Sequence, residues 1–124
     1  MDVALWILQG VVALLFASSF YLHSLAYERS KVTIRWLASI PRWSATGIGI
    51  LELAGAIGVV LPAATHVAAW LTPLAASLLA VLMVFAVVFH LARREYPNVA
   101  VNAFIGVLAA AVAYGRYVLV PLTG

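Results

Sequence analysis

One carboxylate, Glu52, lies in an apolar, glycine-punctuated stretch that runs from Gly47 to Pro62. If that stretch crosses a membrane, the carboxylate sits in hydrocarbon, where a polar group must find a partner or give up its charge. Gly49 and Gly55 stand three residues before and after it, on the same helical face. Such a face lets another helix come close or leaves room for a ligand. The other side chains that could join Glu52 in chemistry are few: His23, Tyr21, His90 and Asn102, with Gln9 and Arg116 farther off.

The elements that must position these groups follow from composition. Of 124 residues, 66% are hydrophobic and 9% charged. A soluble domain has about 25% charged residues, so this chain could not cover a globular surface. The apolar residues fall into four runs, at about 3–25, 44–64, 69–91 and 98–122. Each is long enough to cross ~30 Å of hydrocarbon as a helix. Backbone groups in lipid must be satisfied within the segment, which dictates helices. The expectation is all-α: one transmembrane domain over 1–124, an integral membrane antiparallel four-helix bundle. The first loop, about 26–43, carries Glu28, Lys31, Arg35 and Arg42 at helical spacing, with Tyr27, Ile34 and Leu37 on another face. It reads as an amphipathic interfacial helix between the first two spans, with Trp36 and Trp43 as headgroup anchors.

Six of the seven Lys/Arg residues lie in the first and third loops, and only Arg116 is at the other end. The positive-inside rule then puts loops 1 and 3 in the cytoplasm and both termini outside, in a bacterial-type inner (plasma) membrane. There are no cysteines, which excludes thiolate chemistry, disulfides and cysteine-held metals. No metal site is expected, and no basic nucleic-acid footprint is present.

Depth decides which polar groups can meet. At ~1.5 Å per residue from the cytoplasmic end, Glu52 is about 12 Å in, Asn102 about 6 Å, and His90 and His23 about 3 Å. These groups, with Tyr21, converge in the cytoplasmic half. Small or adaptable residues share their faces: Met83 and Ala86 with His90, Gly106 and Ala109 with Asn102. A ligand site is therefore expected from Glu52, His90, Asn102, Gly49, Gly55, Met83 and Gly106, with Glu52 and His90 the candidate catalytic groups. His23 and Tyr21 read as interfacial. Glu52 is expected to meet neutral partners, His90 or Asn102, as a neutral acid. It either holds the bundle in register or serves a ligand or a proton. Gln9 and Arg116 form a separate outer polar layer too distant for pairing with Glu52, Arg116 reading as a snorkelling anchor.

At these residues the chain resembles the DoxX-like family of small four-helix membrane proteins. The matching features are Gly49-Ile-Leu-Glu52-Leu-Ala-Gly55-Ala-Ile-Gly58, Leu61-Pro62, Trp70-Leu-Thr72-Pro73, His90-Leu-Ala-Arg93-Arg94-Glu95, Asn102 and Ala113-Tyr114-Gly115-Arg116. They cover about 47–117 well and the first span loosely. The family often has Gly-x-x-Lys late in that span, where this chain reads Ser18-Ser19-Phe20-Tyr21. The resemblance implies a four-helix bundle. Among relatives it suggests subunits or assembly factors of membrane redox systems and, more remotely, sterol-binding and sterol-isomerising bundles.

The reading that results is a protein holding a lipid, quinone or sterol-like molecule beside Glu52, or an accessory subunit of a membrane redox complex. The alternatives are an isomerase-type enzyme with Glu52 as general acid/base, or a proton-coupled small-molecule transporter. No cofactor is called for beyond a bound quinone or lipid. The partners this composition allows are membrane lipid and a homodimer or larger membrane complex.

Overall fold

The computed structural model describes residues 2–122. Met1, Thr123 and Gly124, and with them the exact chain ends in the topology expected above, lie outside the described residues. The chain is 84% helical, with no strand among the described residues. Helix α1 is Asp2–Phe20, continued by a wider π-helical turn, Tyr21–Leu25. Two single-turn helices follow, α2 (Tyr27–Ser30) and α3 (Arg35–Ala38). Then come α4 (Arg42–Thr65), α5 (Leu71–Ala92) and α6 (Tyr96–Tyr114), the last continued by a second π-helical turn, Gly115–Leu119.

Four of these helices are long and apolar enough to cross a membrane: Asp2–Leu25, Arg42–Thr65, Leu71–Ala92 and Tyr96–Leu119. They pack as an antiparallel bundle, and the chain is a multi-pass membrane protein. The fourth helix stops at Leu119, short of the expected 122, because Pro121 cannot continue it. The other ends have local causes. Pro41, extended at ψ 153°, starts α4, and His66, left-handed at φ 59°, stops it. Pro97 stands in the first turn of α6, where its missing N–H leaves nothing unsatisfied.

The bundle core is Val12, Phe16, Ala56, Val59, Ala76, Leu79, Met83, Ala109, Val112 and Ala113. Large apolar residues such as Ile7, Leu14, Leu51, Phe85, Phe104 and Val107 face outward. The outer surface is thus as apolar as the core, where a water-soluble bundle would be polar, and this suits lipid.

The first loop departs from expectation. It is not one amphipathic helix; α2 and α3 are separated by a turn at Lys31-Val32-Thr33. The run Val32-Thr33-Ile34 is β-branched throughout, which disfavours an unbroken helix. The loop instead folds back on the bundle. Leu37 is fully buried with Tyr27 and Ala45, and the Tyr27 hydroxyl donates to the Ile40 carbonyl at 2.9 Å. This fold holds Trp36 over the bundle end.

Candidate functional site

Glu52 is 2% exposed. Its partner is neither His90 nor Asn102. His23 Nδ1 lies 2.8 Å from Glu52 Oε1, so the carboxyl meets a titratable imidazole. Two local features bring this about. His23 stands in the π-helical turn of α1, where the widened coil shifts side chains off the 3.6-residue phase. Gly49 lets α1 come close: a Cβ there would lie 2.6 Å from Ser24 Oγ and 3.4 Å from the Phe20 carbonyl oxygen.

His90, also 2% exposed, is engaged elsewhere. Its Nδ1 lies 2.9 Å from Glu95 Oε1, an oxygen that also accepts from Arg93 Nε at 3.0 Å. Glu95 lies in the loop between α5 and α6. The hydrogen bond from His90 does most to hold its carboxyl below the ordinary range; Arg93 adds to this and burial opposes it. Trp36 stands between the two histidines. Its ring centroid is 5.0 Å from that of His23 and 5.2 Å from that of His90, both edge-to-face. The indole expected at headgroup depth is thus a lid on two histidine–carboxylate pairs.

Beneath it is a cavity of about 320 Å³. Its polar lining is His23, Glu52, His90, Asn98, Asn102, Ser19 and Trp36, and its walls include Phe16, Ile48, Met83, Phe89 and Ile105. Phe85 and Val101 on its rim are exposed, so the cavity reaches the lipid-facing surface. Asn102 uses its Nδ2 on the carbonyl of Asn98, one turn earlier in α6, at 2.9 Å.

The glycines expected at the ligand site do not line this cavity. They are places of close helix approach: Gly49 against α1, Gly55 against Leu79 of α5, and Gly106 against Met83. Gly106, Asn102 and Met83 also border a second, apolar groove of about 350 Å³ between α5 and α6. Tyr21 is exposed, and its hydroxyl accepts from Arg29 Nη2 at 2.9 Å.

At the opposite end, Arg116 is not a snorkelling anchor. It is 2% exposed, in the second π-helical turn. Its Nε donates to Gln9 Oε1 at 2.7 Å and its Nη1 to Asp2 Oδ1 at 2.7 Å. Gln9, fully buried, passes the connection on through Nε2 to the Val59 carbonyl at 2.8 Å. Asp2 lies at the other end of the chain from Arg116, so spacing along one helix gave no sign of this partner. Glu95, in contrast, follows His90 by five residues across a helix end, a local signal that a reading confined to the spans passes over.

A family model described as the DoxX-like family matches residues 7–112. The chain belongs to the DoxX-like family. Comparisons with curated proteins and with solved structures return no match. The matched region takes in the first span as well as the later ones and contains His23, Trp36, Glu52, His90, Glu95 and Asn102. Of the polar cluster at the far end of this DoxX-like protein it includes Gln9 but neither Asp2 nor Arg116. Among the described residues no group of three or more His, Asp and Glu could hold a metal ion.

Proposed function

We propose that this DoxX-like protein binds a small apolar ligand, lipid, quinone or sterol-like, in the cavity around Glu52. The observation that carries the reading is the buried His23–Glu52 pair opening on an apolar-walled cavity of about 320 Å³ under Trp36. Ligand sites are of this kind: concave, mostly apolar, about 300–1,000 Å³, with a few placed polar groups. The exposed rim at Phe85 and Val101 offers a way in from the bilayer. The polar end of the ligand lies toward loops 1 and 3, which the basic residues assign to the cytoplasmic side of a bacterial-type inner membrane.

The test is mass spectrometry of apolar molecules that co-purify with gently solubilised protein, compared with Ala86→Phe. Ala86 lines the cavity and is half-buried, so the phenyl ring fills the space without removing a polar group. The wild-type chain is expected to carry a defined molecule that the variant lacks. Identical lipid profiles from both would sink the reading.

A second reading is an isomerase-type enzyme, favoured by the Nδ1–carboxylate geometry of His23. A carboxylate on Nδ1 orients an imidazole for proton transfer at Nε2. It predicts that His23→Gln keeps ligand binding and abolishes turnover.

A further inference from the structure

The cavity has a definite hydrogen-bonding polarity, and that polarity narrows the ligand. Both imidazoles spend Nδ1 on a carboxylate. Neither Nε2 has a hydrogen-bond partner among the described residues, and neither is sealed off as a buried orphan. Both rings line the cavity, and His90 is otherwise almost completely enclosed. Each Nε2 is thus a free hydrogen-bonding position on a ring that lines the cavity. The same holds for the second carboxyl oxygen of Glu52, Oε2.

The two Nε2 atoms differ in character. His23 and Glu52 lie within the spans, with no Lys or Arg bonded to either among the described residues. A low-dielectric site favours a pair without net charge. Such a pair is either imidazolium with carboxylate or neutral imidazole with carboxylic acid. In both, one proton sits between Nδ1 and Oε1, and Nε2 carries a hydrogen. His23 is thus a donor wherever the shared proton lies. At His90 the balance is different, because Arg93 already neutralises Glu95. The uncharged arrangement there has a neutral His90 giving its Nδ1 hydrogen to the carboxylate, which leaves a bare lone pair on Nε2. His90 is an acceptor, and Glu52 Oε2 adds a second one. Asn98 and Asn102 can present either character, so they do not alter the polarity.

We propose that the cavity selects a neutral apolar alcohol, whose hydroxyl accepts from His23 Nε2 and donates to His90 Nε2 or Glu52 Oε2. This rests on the binding function proposed above and specifies its ligand class. A ketone or methyl ether can accept but not donate. It leaves the acceptors of a buried site unpaired, a mismatch that costs affinity strongly. A carboxylate anion brings a charge that the two neutral clusters do not balance.

The test uses the full wild-type chain in detergent with tritiated hexadecan-2-ol and tritiated cholesterol, both secondary alcohols, so that a linear and a fused-ring skeleton are both offered. Each is displaced by its unlabelled alcohol, its methyl ether and its ketone. On the skeleton that binds, the alcohol is expected to displace at roughly tenfold lower concentration than the ether or ketone. His90→Phe should narrow that gap to about threefold while binding persists. Equal displacement by alcohol, ether and ketone would overturn the alcohol inference and leave the binding function standing. No saturable binding on either skeleton would overturn both.

Discussion

His23 Nδ1 and Glu52 Oε1 meet at 2.8 Å across the interface between α1 and α4. The contact joins residues twenty-nine apart in the chain, and both side chains are nearly removed from the outside, at 12% and 3% exposure. Loss of either partner strands a polar group in a low-dielectric site. Loss of both removes the problem. The pair is therefore expected to be costly to break from one side while adding little net stability as a whole.

A double-mutant cycle checks this. His23→Leu and Glu52→Leu should each destabilise by about 3–5 kcal/mol. The double variant should lose clearly less than the two together. Glu52→Gln, which can still hydrogen-bond to His23, should cost about 1 kcal/mol. Unfolding in mixed detergent–SDS micelles reads all four. Additivity within about 0.5 kcal/mol would show that the two side chains do not act as a pair.

How far this site was legible depended on the range of each signal. The four spans follow from unbroken apolar runs, and Glu52 stood out because nothing charged surrounds it. His23 belongs to the set expected to converge on Glu52, but its place near the span end reads as interfacial, so His90 or Asn102 is preferred as partner; the π-helical turn at Tyr21–Leu25 is what carries His23 to the carboxyl. Trp36 reads as an interfacial anchor by residue type; only the fold of loop 1, with Leu37 buried beneath it, turns the indole inward. Arg116 reads as a snorkelling cation by its depth. Its burial depends on Asp2 and Gln9, more than a hundred residues away. Glycine spacing placed Gly49 and Gly55 on the face of Glu52 but could not distinguish a ligand space from two helix contacts.

The glycines differ sharply in what they tolerate. A methyl at Gly55 would come within 2.7 Å of Leu79 Cγ, and Leu79 is 2% exposed and packed in the bundle core. Nothing lies within 4 Å of a methyl at Gly47. Gly55→Ala should therefore destabilise by about 1–3 kcal/mol, whereas Gly47→Ala should be neutral or stabilise by up to about 1 kcal/mol. Thermal unfolding in detergent compares them. Equal effects at the two positions would contradict the packing described for α4 against α5.

Acid should loosen the α5–α6 connection through Glu95. Its carboxyl in the folded chain titrates below the ordinary 4.5, chiefly because His90 hydrogen-bonds to it. A depressed folded value adds stability above the unfolded value, and that stability is lost as pH falls through the folded one. Melting temperatures followed from about pH 6 to about pH 3 should fall more steeply for wild type than for Glu95→Gln, in which this titration is absent. Parallel curves would show that the His90–Glu95 bond adds nothing to the folded state.

Orientation is the last expectation, and the structure strengthens the charge argument behind it. Arg116, the one Lys or Arg at the end bearing Asp2, is buried and tied to Asp2 and Gln9. The end bearing loops 1 and 3 keeps Arg29, Lys31, Arg35, Arg42, Arg93 and Arg94. The asymmetry in charge available to the membrane surface is therefore greater than the residue count suggests, and the positive-inside rule predicts that these loops face the cytoplasm. The chain has no cysteine, so single cysteines report sidedness cleanly. Thr33 and Thr65 are both exposed, in loop 1 and at the end of α4, whereas Ser30 is too buried to label. Thr65→Cys in intact cells should react with an impermeant maleimide. Thr33→Cys should react only after the membrane is opened. The reverse pattern would invert the topology and place the polar end of the cavity on the outer face.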